Sequence, residues 1–199
     1  MSNIEYTIQF HTDWHCGSGL SAGADVDALV VKDKDGLPFI PGKTIKGLVR
    51  EAITEIRGFK SAVVKDGKKV IEVEADDLFL TSMGFFDKDK DVKQRGDVFF
   101  TNAELNEQER TAIVSNNVAR FMYRKISSTA IDENGIAVDH SLRKTEVVVP
   151  CKLEGRILNI PEGFEKEIRD ALRYIKRLGQ NRNRGLGRCT IEIKEGGAQ

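Results

Sequence analysis

Leu37-Pro38-Phe39-Ile40-Pro41-Gly42-Lys43-Thr44-Ile45-Lys46-Gly47-Leu48-Val49-Arg50 leads a proline-bounded extended segment straight into a helix. Each proline fixes its own φ and biases the residue before it away from helical conformations, so the chain stays extended up to Pro41. Beyond it Ile45, Leu48, Val49, Ala52, Ile53 and Ile56 recur at three-and-four spacing. That spacing predicts an amphipathic helix with Thr44 as N-cap and Gly58 as its stop.

Upstream, Ile4, Tyr6, Ile8 and Phe10 alternate with Glu5, Thr7 and Gln9, the period of a half-buried strand. Gly17, Ser18, Gly19 and Gly23 form a flexible connection, Ala28 to Val31 reads as a strand, and Asp33-Lys34-Asp35-Gly36 as its turn. Downstream, Val147 to Ile160 is strand-like. A second helix carries Phe164, Ile168, Ala171, Leu172, Ile175 and Leu178 between Pro161 and Gly179. Cys189, Ile191 and Ile193 alternate as a closing strand. Periodicity therefore predicts an α+β domain spanning 1–199. The section from about 59 to 145, with Asp97-Val98-Phe99-Phe100 as one short strand, reads as an insertion because its apolar residues come in short pieces.

A chain of 199 residues is long enough for one sizeable core. Lysine plus arginine and aspartate plus glutamate each number 31, which excludes a global basic field; any nucleic-acid site must be a local groove. No apolar run reaches the length of a membrane span, and the first residues lack the pattern of a secretion signal, so a soluble cytoplasmic protein without a membrane partner is expected. Cys16, Cys151 and Cys189 are scattered and read as reduced thiols. His15-Cys16 supplies two potential zinc ligands, and no further ligands complete a tetrahedral set.

The stretch Arg177-Leu178-Gly179-Gln180-Asn181-Arg182-Asn183-Arg184-Gly185-Leu186-Gly187-Arg188 packs glycines among arginines just before the closing strand. Glycines let backbone N–H groups approach an anion closely, and forked guanidiniums supply matching donors. A helix C-cap followed by a solvated basic turn would use the same residues.

Taken together, the Pro41-Gly42 helix start and the Gly185-Leu186-Gly187-Arg188 loop resemble the repeat-associated mysterious protein (RAMP) superfamily of CRISPR systems. Gly42-Lys43-Thr44 stands where that family has a Gly-Ser-Ser-like turn, with Lys46 and Arg50 kept. The resemblance implies a ferredoxin-like or RNA-recognition-type sheet with two helices and a thumb-like insertion. It also implies the role of a backbone nuclease subunit of type III CRISPR effector complexes, binding guide RNA, self-associating along it beside other effector subunits, and cleaving paired target RNA. Alternatives within the family are a CRISPR repeat-processing endoribonuclease and a noncatalytic guide-binding structural subunit.

By the same resemblance, Asp27 takes the catalytic place before a short apolar strand, with Asp25 as rival, and a divalent metal, Mg²⁺ or Mn²⁺, serves cleavage. A carboxylate suits that chemistry, because the ribose 2′-hydroxyl must be aligned with the phosphate and charge neutralised. Read without the resemblance, Asp27 is an ordinary turn or strand-edge residue. His15 is either an acid–base group, an RNA contact or a strand-end cap. Lys43, Lys46 and Arg50 at the helix start, with Arg182, Arg184, Gly185, Gly187 and Arg188, are the expected phosphate contacts. The segment from about 124 to 145 resembles the family's thumb hairpin, bringing in Arg124, Lys125 and Arg143 as RNA contacts and Ile131 or Ile136 as an apolar wedge. Asp132-Glu133-Asn134-Gly135 would be its turn.

Overall fold

The computed structural model describes residues 1–23, 25–60, 62–65, 68–71, 77–87 and 92–194. In chain order the elements are β1 (Ser2–Phe10), α1 (Gly42–Lys60), β2 (Ala62–Lys65), β3 (Lys68–Ile71), α2 (Asp77–Met83), β4 (Phe85–Asp87), β5 (Val92–Gln94), β6 (Phe99–Phe100), α3 (Glu107–Ser115), β7 (Tyr123–Ser128), β8 (Arg143–Val148), β9 (Lys152–Ile160), α4 (Glu165–Tyr174) and β10 (Cys189–Lys194). Four strands form the main sheet in the order β10-β1-β9-β6, every neighbouring pair antiparallel. β1 and β6 thus run the same way with β9 between them, and β9 and β10 with β1 between them. These are two interleaved split βαβ units, the ferredoxin-like arrangement, bridged by α1 and α4.

The alternation in β1 does what it predicts. Ile4, Tyr6, Ile8 and Phe10 are buried, and Ile4, Tyr6 and Ile8 stand opposite Ile157, Gly155 and Leu153 of β9. Ile45, Val49, Ala52 and Ile53 of α1 and Ile168, Ala171 and Leu172 of α4 complete the core above that face. Burying each large aliphatic side chain is worth about 1.5–3 kcal/mol. Gly155 is there for Tyr6: a Cβ on it would stand 2.4 Å from the Tyr6 hydroxyl.

Helix boundaries depart from the sequence pattern for reasons remote in the chain. α1 begins at Gly42 rather than after a Thr44 cap, because Asn102 Oδ1 accepts the Gly42 amide at 3.0 Å. Gly42 also lies flush against β6, where a Cβ would come within 2.1 Å of the Phe100 carbonyl. The helix runs through Gly58 to Lys60. An interior glycine costs about 1 kcal/mol, less than the buried Ile53 of the preceding turn returns. α4 stops at Tyr174, well short of Gly179, because the chain beyond it turns extended and pairs with the closing strand's approach: Leu178 N–H donates to Gly187 O and Cys189 N–H to Lys176 O, both at 2.9 Å.

Ala28 to Val31 is not a regular strand. Its groups bond in several directions, Ala28 bridging Thr145, Val30 bridging Gly17, and Val31 N–H donating to Cys16 O. The Asp33–Gly36 turn does form, closed by Gly36 N–H to Asp33 O at 3.1 Å, and Arg110 of α3 clamps it through Asp33 and Asp35. Val147 to Ile160 divides at Pro150 into the end of β8 and the whole of β9. Phe99–Phe100 joins the main sheet as its edge strand, and Phe79 and Met83 before it and Ala103 and Leu105 after it lie in the same core. Further on, the hairpin β7–β8 is in register from Tyr123↔Val148 to Ser128↔Arg143.

Candidate nucleic-acid interface

Residues 11–32 touch every element that the sequence marks for RNA. Toward the glycine loop, His11 N–H donates to Arg188 O at 2.8 Å, Gly187 N–H to Asp13 O at 2.7 Å, and Gln180 N–H to His15 O at 2.9 Å. Toward the hairpin, Trp14 and Val148 exchange two backbone hydrogen bonds, Asp13 pairs with Arg124, and Asp25 pairs with Lys125 at 2.6 Å. Toward α1, the Cys16 thiol meets the Thr44 side chain; burial nonetheless pushes the thiol above its ordinary pKa, with Lys43 pulling the other way.

The glycine loop owes its shape to left-handed residues. Gly179, Asn181, Gly185 and Gly187 have φ of 96°, 54°, 93° and 70°. At Gly187 the requirement is doubled, since a Cβ would lie 1.9 Å from Leu178 O, whereas at Gly185 nothing lies within 4 Å. This carries Arg184 and Arg188 outward, both exposed and, among the described residues, in no ion pair with a carboxylate. Arg182 is tied to Glu51 at 3.2 Å. A cavity of about 550 Å³ lies between this loop and the root of the hairpin, lined by His11, Asp13, Arg124, Ile126, Arg184 and Gly185 among others.

The other candidates divide by exposure. Lys43 and Arg143 are exposed, and Lys46 is partly covered, its pKa lowered by desolvation and then by Arg50 and Arg95. Arg50 faces α2, donating to Gly84 O at 2.8 Å and lying over the Phe79 ring. His15 is fully buried; its Nδ1 donates to Glu146 O at 2.6 Å, and its Nε2 faces Gly17 without a partner among the described residues. A buried imidazole bonded in this way pins the strand end to β8, and its reach to solvent is closed off.

Asp27 is exposed and fixed to β8. Its Oδ2 accepts the Lys144 amide at 2.6 Å, which leaves Oδ1 open to solvent. Asp25 is held by Lys125, whose hydrogen bond and charge keep its pKa below the usual carboxylate range. Among the described residues no group of three or more His, Cys, Asp or Glu side chains converges to hold a metal. The single Asp27 oxygen therefore fits a divalent ion only as one ligand among others brought by RNA and water.

Sequence reading missed Asp13 and Glu146. Asp13 is buried and receives Arg124 on its carboxylate and Gly187 on its carbonyl; Glu146 takes Val30 N–H at 3.1 Å and Lys32 at 2.8 Å. An aspartate between His11 and the apolar Trp14 is the only sequence signal for the first. The open face of the sheet is informative too. Glu5, Thr7, Gln9, Glu154, Arg156, Thr190, Glu192 and Lys194 occupy it, so β1, β9 and β10 present no aromatic platform for stacked bases there. On the edge strand β6, Phe99 is the exposed aromatic on that face.

A ferredoxin-like domain carrying a glycine–arginine loop and a projecting hairpin is the class this architecture defines. The RAMP superfamily model matches residues 7–190, and the chain belongs to that superfamily. Among solved structures it is similar to a subunit in the cryo-EM structure of the type III-B Cmr-beta complex bound to cognate target RNA, with a TM-score of 0.68, 11% identity and 97% of each chain covered. It is also similar to one in the apo state of Cmr-beta, with a TM-score of 0.65, 12% identity and the same 97% coverage of both chains. No curated protein matches the sequence. No helix among the described residues is long and apolar enough to cross a membrane.

Proposed function

We propose that this chain is a guide-RNA-binding backbone subunit of a type III CRISPR effector complex, repeated along the guide, with Asp27 as the carboxylate that serves cleavage of guide-paired target RNA. The observation that carries this reading is the single segment 11–32 bonded at once to the glycine–arginine loop, the hairpin and the start of α1. RNA lying across that segment would meet Arg184 and Arg188 on one side, Lys43 on another, and Asp27 beside the hairpin root. Phosphate contacts of this kind grip the backbone and leave sequence to base pairing.

Asp27 Oδ1 would accept a proton or orient a ribose hydroxyl, while Oδ2 stays engaged with the Lys144 amide. A divalent ion, when bound there with RNA, would supply charge neutralisation at the scissile phosphate. The same Lys144 contact favours a second reading, a noncatalytic guide-binding subunit in which Asp27 only fastens the loop to β8. Assembled complexes separate the two: labelled target RNA cut by the wild type and left intact by Asp27→Asn, with guide content unchanged, supports catalysis. Equal cutting by both leaves the scaffold.

A further inference from the structure

We infer that Asp13 is a positioning residue for RNA: its buried carboxylate holds the Arg124 guanidinium at the cavity shared with the glycine–arginine loop, so that a phosphate meets Arg124 already in place. The inference rests on the RNA-binding reading above and adds to it a residue that acts through another.

Asp13 is reached from two sides. Its carbonyl accepts the Gly187 amide of the glycine loop at 2.7 Å, and its Oδ2 accepts both Nε–H and Nη2–H of Arg124 from β7. The Asp13 side chain is 6% exposed and that of Arg124 62%, so the pair has one end inside the protein and the other in solvent. A carboxylate so nearly buried is costly without a cation, and Arg124 is the cation paired with it among the described residues. The same pairing fixes the long arginine stem. Two of the guanidinium's five N–H groups go to Asp13, which leaves three for an anion.

The surroundings of the pair set what it serves. Arg124 and Arg184 both line the cavity of about 550 Å³ between hairpin root and loop, and Asp13 is the one carboxylate among its lining residues. A carboxylate beside an RNA phosphate repels it, so a bystander at this place would weaken binding. Asp13 favours binding only where the ordering of Arg124 outweighs that repulsion: an arginine held in one rotamer in the free protein gives up little further freedom when it takes a phosphate. The geometry fits this case, because the negative end is buried and neutralised by Arg124 while the exposed positive end lines the cavity. The main-chain bond from Gly187 to the Asp13 carbonyl is there whatever side chain stands at 13, so a side-chain substitution separates this link from the anchorage of the loop.

The test measures binding of a fluorescently labelled single-stranded RNA to the full chain by anisotropy at several salt concentrations, with melting curves alongside. It compares wild type, Asp13→Asn, Arg124→Lys, Arg124→Gln, the Asp13→Asn/Arg124→Gln double variant and the Arg184→Ala/Arg188→Ala pair. Expected for Asp13→Asn is a loss of about fivefold, the ordering cost of one long side chain, with the salt slope kept. Arg124→Lys keeps the charge and loses the fork, and should show a similar loss. Arg124→Gln should bind more weakly still, with a salt slope shallower by about 0.7, and adding Asp13→Asn to it should weaken binding no further. Binding by Asp13→Asn as tight as wild type, or tighter, makes Asp13 a bystander carboxylate and overturns the inference. So does an equal further loss in the Arg124→Gln background, which assigns the effect to the fold. Should Asp13→Asn not fold, Arg124→Lys decides, and wild-type affinity there overturns the inference. Any of these outcomes with the Arg184/Arg188 pair impaired leaves the guide-binding reading intact; no RNA binding by the wild type, alone or assembled, overturns both.

Discussion

Asp27 and Lys144 are joined twice: the Asp27 amide donates to the Lys144 carbonyl at 2.8 Å, and the Lys144 amide donates back to Asp27 Oδ2 at 2.6 Å. The candidate catalytic carboxylate is therefore part of the hairpin's attachment, and any substitution there tests two roles together. Asparagine separates them, since its amide oxygen can still accept from Lys144 without the charge.

Asp27→Asn is expected to keep guide loading and thermal stability while reducing target cleavage at least a hundredfold, and Asp27→Ala to lose cleavage and loosen the hairpin as well. Asp25→Ala removes only an exposed pair with Lys125 and should matter less. Cleavage time courses on labelled target with magnesium or manganese check this; full activity in the Asn and Ala variants alike ends the catalytic assignment.

Replacing Arg184 and Arg188 together with alanine should weaken RNA binding without unfolding, because neither side chain has a protein ion pair to lose among the described residues. The slope of log affinity against log salt should become shallower by about 1.4 for two single-strand phosphate contacts. A titration at several salt concentrations reads both, and an unchanged slope would remove the loop from the interface.

Gly187→Ala should cost more than about 2 kcal/mol, since a methyl group there meets Leu178 O at a residue with φ of 70°. Gly185→Ala faces open space and carries only the left-handed penalty of about 1 kcal/mol. Melting curves should rank them in that order, with RNA affinity falling in Gly187→Ala because the Asp13 and His11 contacts to the loop shift with it.

Deleting 131–138 and closing the gap should leave the main sheet folded. Ile131, Ile136 and Val138 are all exposed, and the tip is held by its own bonds, chiefly Asp132 Oδ1 accepting from Asn134 and Ile136 amides at 2.9 and 2.8 Å. Circular dichroism should be near wild type while the spacing of target cuts in assembled complexes changes. An unchanged cut pattern would argue against a thumb role.

Acid should loosen the clamp between the 33–36 turn and α3. Burial pushes the Asp33 carboxyl up, yet the Leu37 amide and Arg110 outweigh it and hold its pKa below the ordinary aspartate value. A depressed folded-state pKa means this stabilisation is full above about pH 4 and disappears as pH falls through the folded value. The melting temperature of Arg110→Gln should lie a few degrees below wild type at pH 7, and the gap should close as acid protonates Asp33. A gap that persists in acid would assign it to packing of the arginine stem.

Legibility followed the range of the forces involved. The alternation of Ile4 to Phe10 and the helical spacing from Ile45 to Ile56 report local burial, and both elements formed as read. The ends of α1 and α4 did not, because Asn102 caps Gly42 across sixty residues and Gly187 captures Leu178 after the helical spacing has already counted it. The hairpin turn at Asp132–Gly135 was visible as turn chemistry. Asp13, Glu146 and the Lys46–Arg95 cluster were not, since each depends on neighbours that only the tertiary fold supplies.

The hairpin is built like a cantilever. Its root is clamped by buried Val147 and Val148, the two Trp14 hydrogen bonds and the Asp13–Arg124 pair, while beyond Ser128 and Arg143 the tip is held, among the described residues, by bonds within itself. Such a beam bends near the clamp and sweeps farthest at the free end, so a small angular adjustment at the root moves Ile131 and Ile136 through a long arc while Asp27, fastened at Lys144 beside the clamp, stays almost still. One molecule can thereby follow an irregular surface with its tip and still keep a fixed point of reference a few residues away.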